Sequence, residues 1–312
     1  MENRNLARSA IANRPVRQLT NWEVAQALRV PGRADDKYTR GVVQLVTGSQ
    51  TYPGAAVMGV AGAIGAGPGM VRFVSSSTPT ELVLSRFPEV VLEAGRFEAA
   101  VIGSGWDQNQ ESLALQTLEA AGTSPVVVDA GAMECIADLL RDRTIQSPFV
   151  FTPHMGEARR LWGRVGQGDP KSDGGPLAHA LARKLNVTVV LKTSITWVAS
   201  ADGVHSVFEA PSGWAATAGS GDVLAGVIGG VLASTDLGRT DVIDAVAAAV
   251  WIHGTAAAQA GGVWSKSGAV TAKRGRPITA LEIAASVPAL IGELLELTPN
   301  REWLDQDTDF DA

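Results

Sequence analysis

Cysteine is almost absent from this chain: Cys135 is the only one among 312 residues. A single cysteine cannot form an internal disulfide, and such a chain suits a reducing compartment, so we expect a cytoplasmic protein. Histidine is scarce as well, with four residues far apart in the sequence, at 154, 179, 205 and 253. Together with one cysteine they predict no zinc-type cluster and no protein-only metal site.

Basic residues are not in excess either. The net charge of −6 leaves nothing to neutralise a phosphate backbone, so we expect no nucleic-acid partner. Long apolar runs are also missing. The best one, 242–260, is interrupted by Asp244, His253 and Gln259, which predicts a buried helix and no membrane association. The arginines near the start lack a continuous apolar core beside them, so no secretory signal is expected.

Several familiar motifs are missing. The chain has no GxxxxGK[ST] loop, so it is not a P-loop protein. Gly103-Ser104-Gly105 lacks the third glycine of the dinucleotide fingerprint, which makes a Rossmann interpretation weak. There is no GxSxG elbow, and the sequence offers Ser220 no evident base partner.

Short apolar runs alternate with helical segments along most of the chain. Continuous apolar runs are typical of strands covered on both faces, and this alternation predicts an α/β fold with a mainly parallel sheet. The predicted strands are 42–47, 70–75, 99–103, 125–129, 149–152 and 188–192, followed by a hairpin of 196–200 and 203–208 that turns at Ala201-Asp202-Gly203. The predicted helices are 22–28, 55–66, 81–84, 110–121, 135–141, 156–162, 176–185, 222–233, 241–260 and 279–297.

The chain is expected to form one domain, because no linker long enough to divide it is visible. Residues 1–36 are predicted to be an N-terminal arm, mobile over 1–20, with a short helix. Residues 37–298 are predicted to form the catalytic domain, and 299–312 an acidic, disordered tail.

Polar and glycine-rich residues follow nearly every predicted strand. In a parallel sheet the carboxyl ends of the strands share one edge, where ligands bind, so these residues predict a cleft lined with donors. They are Gly48-Ser49, Gly103-Ser104-Gly105, Asp129-Ala130-Gly131, 152–157 and Lys192-Thr193-Ser194.

The stretch 217–232 combines a glycine turn with an apolar helix. Gly219, Ser220 and Gly221 are expected at the helix entrance, where free N–H groups attract anions. Asp222 has two open interpretations: it caps the helix, or it removes a proton beside a phosphate held by the turn.

Four more polar residues at this edge each have two interpretations. His154 is either hydrogen-bonded in a turn or in contact with a ligand, and its position favours the ligand. Glu157 is more simply an acid in the first turn of a helix than a direct participant. Lys192 is either solvated or bound to phosphate, and Asp129 either caps a turn or holds a magnesium-bound water network. We expect His154 and Gly105 on one wall of the cleft and Lys192 on the opposite wall, with Asp222 between them.

Several motifs together resemble those of the NAD(P)H-hydrate dehydratases, over about residues 37–290. They are TYPGAA (51–56), GSG (103–105), VVVDAGAM (126–133), FTPHMGEARRL (151–161), VVLKTSIT (189–196) and AGSGDVLAG (218–226). The resemblance implies a ribokinase-like three-layer sandwich: a mainly parallel sheet with helices on both faces. It also implies a lyase that uses ADP as co-substrate and Mg²⁺ to repair (S)-NADHX or (S)-NADPHX, and often a homotetramer.

The resemblance also assigns roles to individual positions. Ala56, Gly105 and His154 would contact the hydrated nicotinamide nucleotide, and Asp222 would be the catalytic residue between the two ligands. The nucleotide-binding residues would be Lys192, Thr193, Ser194, Ile195, Thr196, Gly219, Ser220 and Gly221. Fused members of the family carry an epimerase domain, for which the stretch before Lys37 is too short.

The chain departs from the family pattern at several positions: Met155 replaces a proline, Ser220 a threonine, Gly131 an aspartate, and 38–41 an HKG sequence. None of these changes removes the histidine, the lysine or the aspartate of the motifs, so an active enzyme is expected. Two other functions stay open. One is a ribokinase-like kinase acting on a vitamin-precursor alcohol, and the other is a nucleotide-binding protein without turnover.

Overall fold

The structure is a computed structural model, and it describes residues 16–107, 110–142, 145–168, 173–264, 270–271 and 273–297. Helices and strands alternate along it, as the apolar pattern predicts. The strands are β1 (Val42–Val46), β2 (Met70–Phe73), β3 (Ala99–Ile102), β4 (Val126–Val128), β5 (Phe149–Phe151), β6 (Thr188–Leu191), β7 (Ile195–Ser200) and β8 (Gly203–Glu209). The helices are α1 (Asn21–Gln26), α2 (Pro53–Gly65), α3 (Ser77–Arg86), α4 (Glu111–Ala121), α5 (Met133–Asp142), α6 (Met155–Val165), α7 (Gly175–Leu185), α8 (Ser220–Ser234), α9 (Val242–Ala260) and α10 (Ala280–Leu295).

The strands form one sheet in the order β2-β1-β3-β4-β5-β6-β7-β8. The first six strands pair in parallel, and β7 and β8 add an antiparallel hairpin at one edge. Both the parallel sheet and the hairpin are therefore confirmed. Because β1 and β3 to β6 run in the same direction, the loops after them meet at one edge of the sheet.

Helices cover both faces of this sheet. Along β1, Val43 and Leu45 join one buried cluster with α1, α2, α8, α9 and α10. Val42 and Val46 join a second cluster, which is built with α4 to α7. Successive strand residues point to opposite faces, so a strand covered on both faces is apolar on both sides. Each buried valine contributes roughly 1.5–3 kcal/mol to the free energy of unfolding. The three-layer α/β sandwich is confirmed.

Glycines bring α2 and α8 unusually close together. A Cβ atom added to Gly62 would collide with the carbonyl oxygen of Val223, and one added to Gly226 would collide with that of Gly59. Only glycine allows backbones to approach this closely. The contact holds the first turn of α8 against α2, at the edge where the strands end.

Helix α9 is long and apolar enough to cross a membrane, and no other helix in the described ranges is. However, 72% of its most apolar stretch is buried inside the protein. It packs against α8 and α10 in the first cluster, and Ala245, Ala248 and Ile252 are fully buried there. The prediction of a buried core helix is confirmed.

The chain before β1 is part of this core. Thr20 and Glu23 form a capping box that starts α1, and Val24 and Ala25 of α1 are fully buried. The carbonyl oxygen of Arg17 accepts a hydrogen bond of 3.1 Å from the Val207 amide of β8. The prediction of a mobile arm is therefore wrong for residues 17–20. Residues 1–15 and the predicted tail 299–312 lie outside the described residues.

Two predicted boundaries are also corrected. Helix α3 spans Ser77–Arg86, longer than the predicted 81–84, because Pro79 in the first turn needs no intrahelical N–H partner. Helix α8 begins at Ser220, before the predicted Asp222, with Gly219 as its N-cap. Asp222 is therefore the third residue of the helix.

Candidate functional site

A buried carboxylate lies where four strands end. Asp129, directly after β4, accepts hydrogen bonds from Ser104 Oγ at 2.8 Å and Thr152 Oγ1 at 2.6 Å. The Lys192 ammonium, after β6, donates to the same carboxylate at 2.9 Å. The Asp129 side chain is only 3% exposed and that of Lys192 20%. Parallel strand order brings these four residues together, because each follows a different strand.

Asp129 and Lys192 stabilise each other's charged form. Burial alone would raise the pKa of Asp129, but the Lys192 charge and the hydrogen bonds outweigh it, so this pKa lies below its usual value. Burial would lower the pKa of Lys192, but the Asp129 carboxylate outweighs it and raises that pKa. Both groups are therefore ionised at neutral pH. The cap interpretation of Asp129 is wrong, because its side chain caps no backbone N–H of the turn that follows. The magnesium-bound water network stays a prediction.

The glycine turn lies directly beside the Lys192 ammonium. Gly219 has φ +87°, and a Cβ atom there would collide with Met58 Sδ, so the position requires glycine. A Cβ atom on Gly221 would lie 3.3 Å from Lys192 Nζ. The Ser220 amide donates to the Thr217 carbonyl at 3.2 Å. The other N–H groups of the first turn of α8 and a lysine ammonium thus lie close together, an arrangement suited to a phosphate group.

Asp222 follows this turn and is half-buried. Burial, and to a lesser extent the Asp129 charge, raise its pKa to about 7, although the Lys192 charge acts in the opposite direction. Within the described ranges no residue donates a hydrogen bond to its carboxylate, so Asp222 is not used as a cap. A carboxylate whose pKa lies near 7 can accept a proton at neutral pH, as a general base does.

His154 caps helix α6. Its Nδ1 accepts hydrogen bonds from the amides of Gly156 (3.0 Å) and Glu157 (3.3 Å), and the Glu157 carboxylate accepts one from the His154 amide at 2.8 Å. The turn interpretation of His154 and the first-turn interpretation of Glu157 are both confirmed. The His154 side chain is 56% exposed, so it is also accessible to a ligand.

His154 and Lys192 are neighbours rather than residues on opposite walls. Their backbones pair in a parallel bridge, and the Lys192 amide donates to the Pro153 carbonyl at 2.8 Å. The expectation of opposite walls is therefore wrong. The physical reason is that β5 and β6 are adjacent in the sheet, which the sequence alone does not reveal.

The loops after β1 and β3 lie against the start of α2. Gly105 has φ +66°, and a Cβ atom there would lie 2.5 Å from that of Ala55. The Gly48 amide donates to the Ser104 carbonyl at 2.7 Å. Ala56 is fully buried behind Gly48. Ala56 and Gly105 are the two substrate contacts predicted in this region. Ala56 is not accessible to a ligand in the structure, because it is fully buried.

The residues after Lys192 lead into the edge hairpin. Thr193 Oγ1 bonds to the backbone of Ile195, which begins β7 together with Thr196. The Ser194 carbonyl accepts from the Ala210 amide at 3.0 Å, which links this segment to the loop before the glycine turn. The predicted nucleotide-binding residues thus come from two connected segments.

One pair in this region is not predicted by the sequence. Ser220 Oγ and His253 Nε2 are 3.3 Å apart, and both residues are buried. Burial lowers the pKa of His253 to about 4, so the imidazole is neutral at physiological pH. The two residues are 33 positions apart and no local motif joins them, so only the packing of α8 on α9 reveals the pair.

The described residues contain no group of three histidine, cysteine or acidic side chains that could hold a metal ion. Asp129 is already committed to three donors. A magnesium ion here would have to be held largely by ligand phosphates and water, as is common for this ion.

A family model for NAD(P)H-hydrate dehydratase matches residues 43–271. The bifunctional NAD(P)H-hydrate repair enzyme Nnr of Mycobacterium tuberculosis H37Rv is 41% identical over 220 residues, which are 68% of this chain and 45% of that protein. This chain thus matches under half the length of such relatives. The ADP-dependent (S)-NAD(P)H-hydrate dehydratase of Neisseria meningitidis is 33% identical over 252 residues, covering 74% of this chain and 83% of that protein.

The chain is also similar to solved structures. The ADP/ATP-dependent NAD(P)H-hydrate dehydratase of Bacillus subtilis, co-crystallised with ATP and Mg²⁺, superposes with a TM-score of 0.72 at 26% identity, covering 89% of this chain and 99% of that one. A ribokinase-like superfamily protein of Enterococcus faecalis, at 21% identity and a TM-score of 0.73, supports the fold alone. With the family match spanning the whole strand-end site, the chain belongs to the NAD(P)H-hydrate dehydratase family and has its ribokinase-like fold.

Proposed function

We propose that this protein dehydrates (S)-NADHX or (S)-NADPHX to NADH or NADPH, and that ADP drives the reaction and is converted to AMP and phosphate. The observation that carries the proposal is the half-buried Asp222, whose pKa is raised to about 7 beside the glycine turn and Lys192. Family membership supplies the substrate class.

The reaction needs activation because hydroxide is a poor leaving group. Asp222 takes the proton of the substrate hydroxyl, and the oxygen attacks the terminal phosphorus of ADP. The bond from that phosphorus to AMP breaks, and a phosphate ester of the hydrate forms. The adjacent carbon then loses a proton to solvent as the C–O bond breaks. The electron pair of that C–H bond forms the ring double bond, and the C–O pair leaves with phosphate. Atoms and charges balance without a redox partner.

The glycine turn and Lys192 stabilise the phosphoryl group during transfer. Preorganised N–H groups at a helix N-terminus bind developing negative charge without reorganising, and a nearby ammonium adds to this effect. Magnesium, when bound with the nucleotide, would neutralise further phosphate charge. The described residues form no cage for it, so ligand phosphates and water would supply most of its ligands.

The remaining binding roles extend this proposal. Gly105 and His154 would contact the hydrated nicotinamide nucleotide, and a contact with Ala56 would require movement of the Gly48 loop. The segment 192–196 and the turn 219–221 would hold the adenine nucleotide. The limits 37–298 for the catalytic domain, the cytoplasmic location and the homotetramer also stay predictions.

The direct test is recovery of the near-ultraviolet absorbance of the reduced nicotinamide ring when the hydrate is added with ADP. Recovery only in the presence of nucleotide, with AMP and phosphate as products, supports the proposal. Accumulation of a stable phosphorylated alcohol would indicate a kinase, and binding without any product would indicate a protein without turnover.

The variant D222N tests the assignment of the base. Because asparagine keeps the shape but cannot accept the proton, we expect turnover to fall at least ~100-fold while ADP affinity, measured by calorimetry, stays within a few-fold. The matched control is D202N in the β7–β8 hairpin, which should behave as wild type. Near-normal turnover of D222N would show that another group is the base.

A further inference from the structure

The Asp129 carboxylate takes no part in the proposed reaction, although its partner Lys192 does. The carboxylate is nearly inaccessible, with a side chain 3% exposed, yet it is charged and bonded to groups from three other strand ends. Burying a charge costs free energy unless partners compensate it, and apolar replacements are often at least as stable. Its partners therefore indicate a role beyond stability.

The Lys192 ammonium is the one partner that extends from this network towards the glycine turn. An ammonium has three N–H donors, and Lys192 uses one of them on Asp129. Within the described part of the chain no acceptor is bonded to the other two. Nζ lies beside Gly221, where an added Cβ would be 3.3 Å away. Two free donors thus lie at the turn.

We propose that Asp129 is a positioning residue that holds the Lys192 ammonium against Gly221. There the two unused N–H donors of the ammonium contact the transferred phosphoryl group. Asp129 also keeps the ammonium from pairing with Asp222. The inference rests on the proposed function and deepens it. Ser104 and Thr152 fix the carboxylate from two sides, so that the lysine has one defined anchor.

The charges around Asp222 support this division of roles. Asp129 and Lys192 are the charged groups that act on its pKa, in opposite directions, and His253 on α9 is neutral. Glu157 acts on Lys192. Helix α2 carries no titratable side chain. The other charged groups on helices packed against α8 are Asp244 on α9, paired with His205, and Glu282 and Glu293 on α10, bonded to Arg276 and Gln259.

The experiment compares D129N with wild type in kcat, KM and pH profile. The substituted amide keeps the shape of the aspartate side chain but releases Lys192, on which Glu157 and Asp222 are the other acidic groups that act. We expect kcat to fall by about 100-fold, since a misplaced group costs about that much, with KM for the hydrate within a few-fold. The acid limb of kcat/KM should move to lower pH by roughly one unit or more, because a negative charge is lost and a positive one is freed.

Loss of the Asp129 charge would move the acid limb whatever its role, because that charge acts directly on Asp222. A purely structural role in a folded variant would not lower kcat on the pH plateau while leaving KM for the hydrate within a few-fold. The control D138N removes a similar aspartate–arginine pair on the exposed surface of α5 and should leave kcat and the pH profile unchanged. If D129N does not fold, the double variant S104A/T152V decides. It loosens the carboxylate without removing its charge, and we expect kcat to fall about tenfold with KM for the hydrate unchanged.

An unchanged plateau kcat in folded D129N, or an unchanged kcat in S104A/T152V if D129N does not fold, overturns the inference while leaving the proposed function intact. Absence of nucleotide-dependent turnover in the wild type overturns the proposed function itself. The two failures are therefore distinguishable.

Discussion

At the scale of single residues, Asp222 is a group whose charged form is disfavoured by its surroundings. Burial and the nearby Asp129 raise its pKa to about 7, above the usual value of 3.8. Because the pKa of Asp222 is higher in the folded protein than in the unfolded chain, protonated Asp222 favours the folded state. This stabilisation is fully present below pH 3.8 and is lost as the pH rises through 7. Asp222 therefore destabilises the protein in the pH range where a general base has to be ionised.

We expect D222N to unfold at a higher temperature than wild type at pH 8, because the neutral amide avoids the cost of the buried charge. The gain in the free energy of unfolding should be on the order of 2 kcal/mol and should shrink towards pH 4, where Asp222 is protonated. Thermal unfolding at a series of pH values measures it, with D202N as the exposed control. An equal gain at pH 4 and pH 8 would show that charge is not the cause.

Asp129 shows why such residues are difficult to interpret one at a time. A polar residue after an apolar strand is equally compatible with a turn cap and with a ligand. Its actual partners, Ser104, Thr152 and Lys192, lie 23 to 63 positions away. The sequence locates Asp129 at the right edge of the sheet, but its bonds depend on which strands are neighbours.

At the scale of secondary structure, the contact between α2 and α8 holds the glycine turn 219–221 in place. It is made by glycines on both helices, where any side chain would strike the opposite backbone. Glycine within a helix costs about 0.5–1 kcal/mol relative to alanine, so its use here points to the need for close approach.

Gly226→Ala tests this contact, since its added methyl group would collide with the Gly59 carbonyl of α2. We expect the free energy of unfolding to fall by about 1–3 kcal/mol, and turnover to fall with it, as the first turn of α8 moves. Gly163→Ala on α6 is the matched control, because a Cβ atom there meets nothing within 4 Å. It should be neutral or stabilising by up to about 1 kcal/mol. Equal stability of the two variants in chemical denaturation would contradict the role of the contact.

At the scale of the whole molecule, stability is expected to be highest at the centre of the sheet. Strands β3, β4 and β5 have neighbours on both sides and helices on both faces, and every residue in them is buried. Strand β8 is an edge, and several of its residues are partly exposed. Local opening should therefore begin at the β7–β8 hairpin.

Hydrogen exchange followed by mass spectrometry tests this gradient. Peptides that cover β3 to β5 should exchange only on global unfolding, at rates at least ~100-fold slower than those that cover β8. Bound ADP should slow exchange in the first turn of α8 and in 192–196 more than in β2, which serves as the internal control. Equal protection of β8 and β4 would contradict the proposed order.

Much of this protein can be predicted from the sequence because the signals are local. Continuous apolar runs identify the parallel strands, and the turn at 201–203 identifies the hairpin. The motifs in combination indicate the family, and the glycine turn 219–221 indicates that a helix begins nearby. Periodicity and turn chemistry depend on residues close together in the chain, so they are visible without coordinates.

Only the tertiary structure decided which of these strand ends touch. It made His154 and Lys192 neighbours rather than opposite walls, paired Ser220 with His253 and joined Lys192 to Asp129. It also joined the Arg17 carbonyl to β8 by a backbone hydrogen bond. The tertiary structure also decides the pKa of Asp222, because that pKa depends on burial and on the charges of Asp129 and Lys192, which follow two other strands. Strand order and burial arise from the packing of the whole chain, and electrostatic interactions depend on distance in space rather than along the sequence.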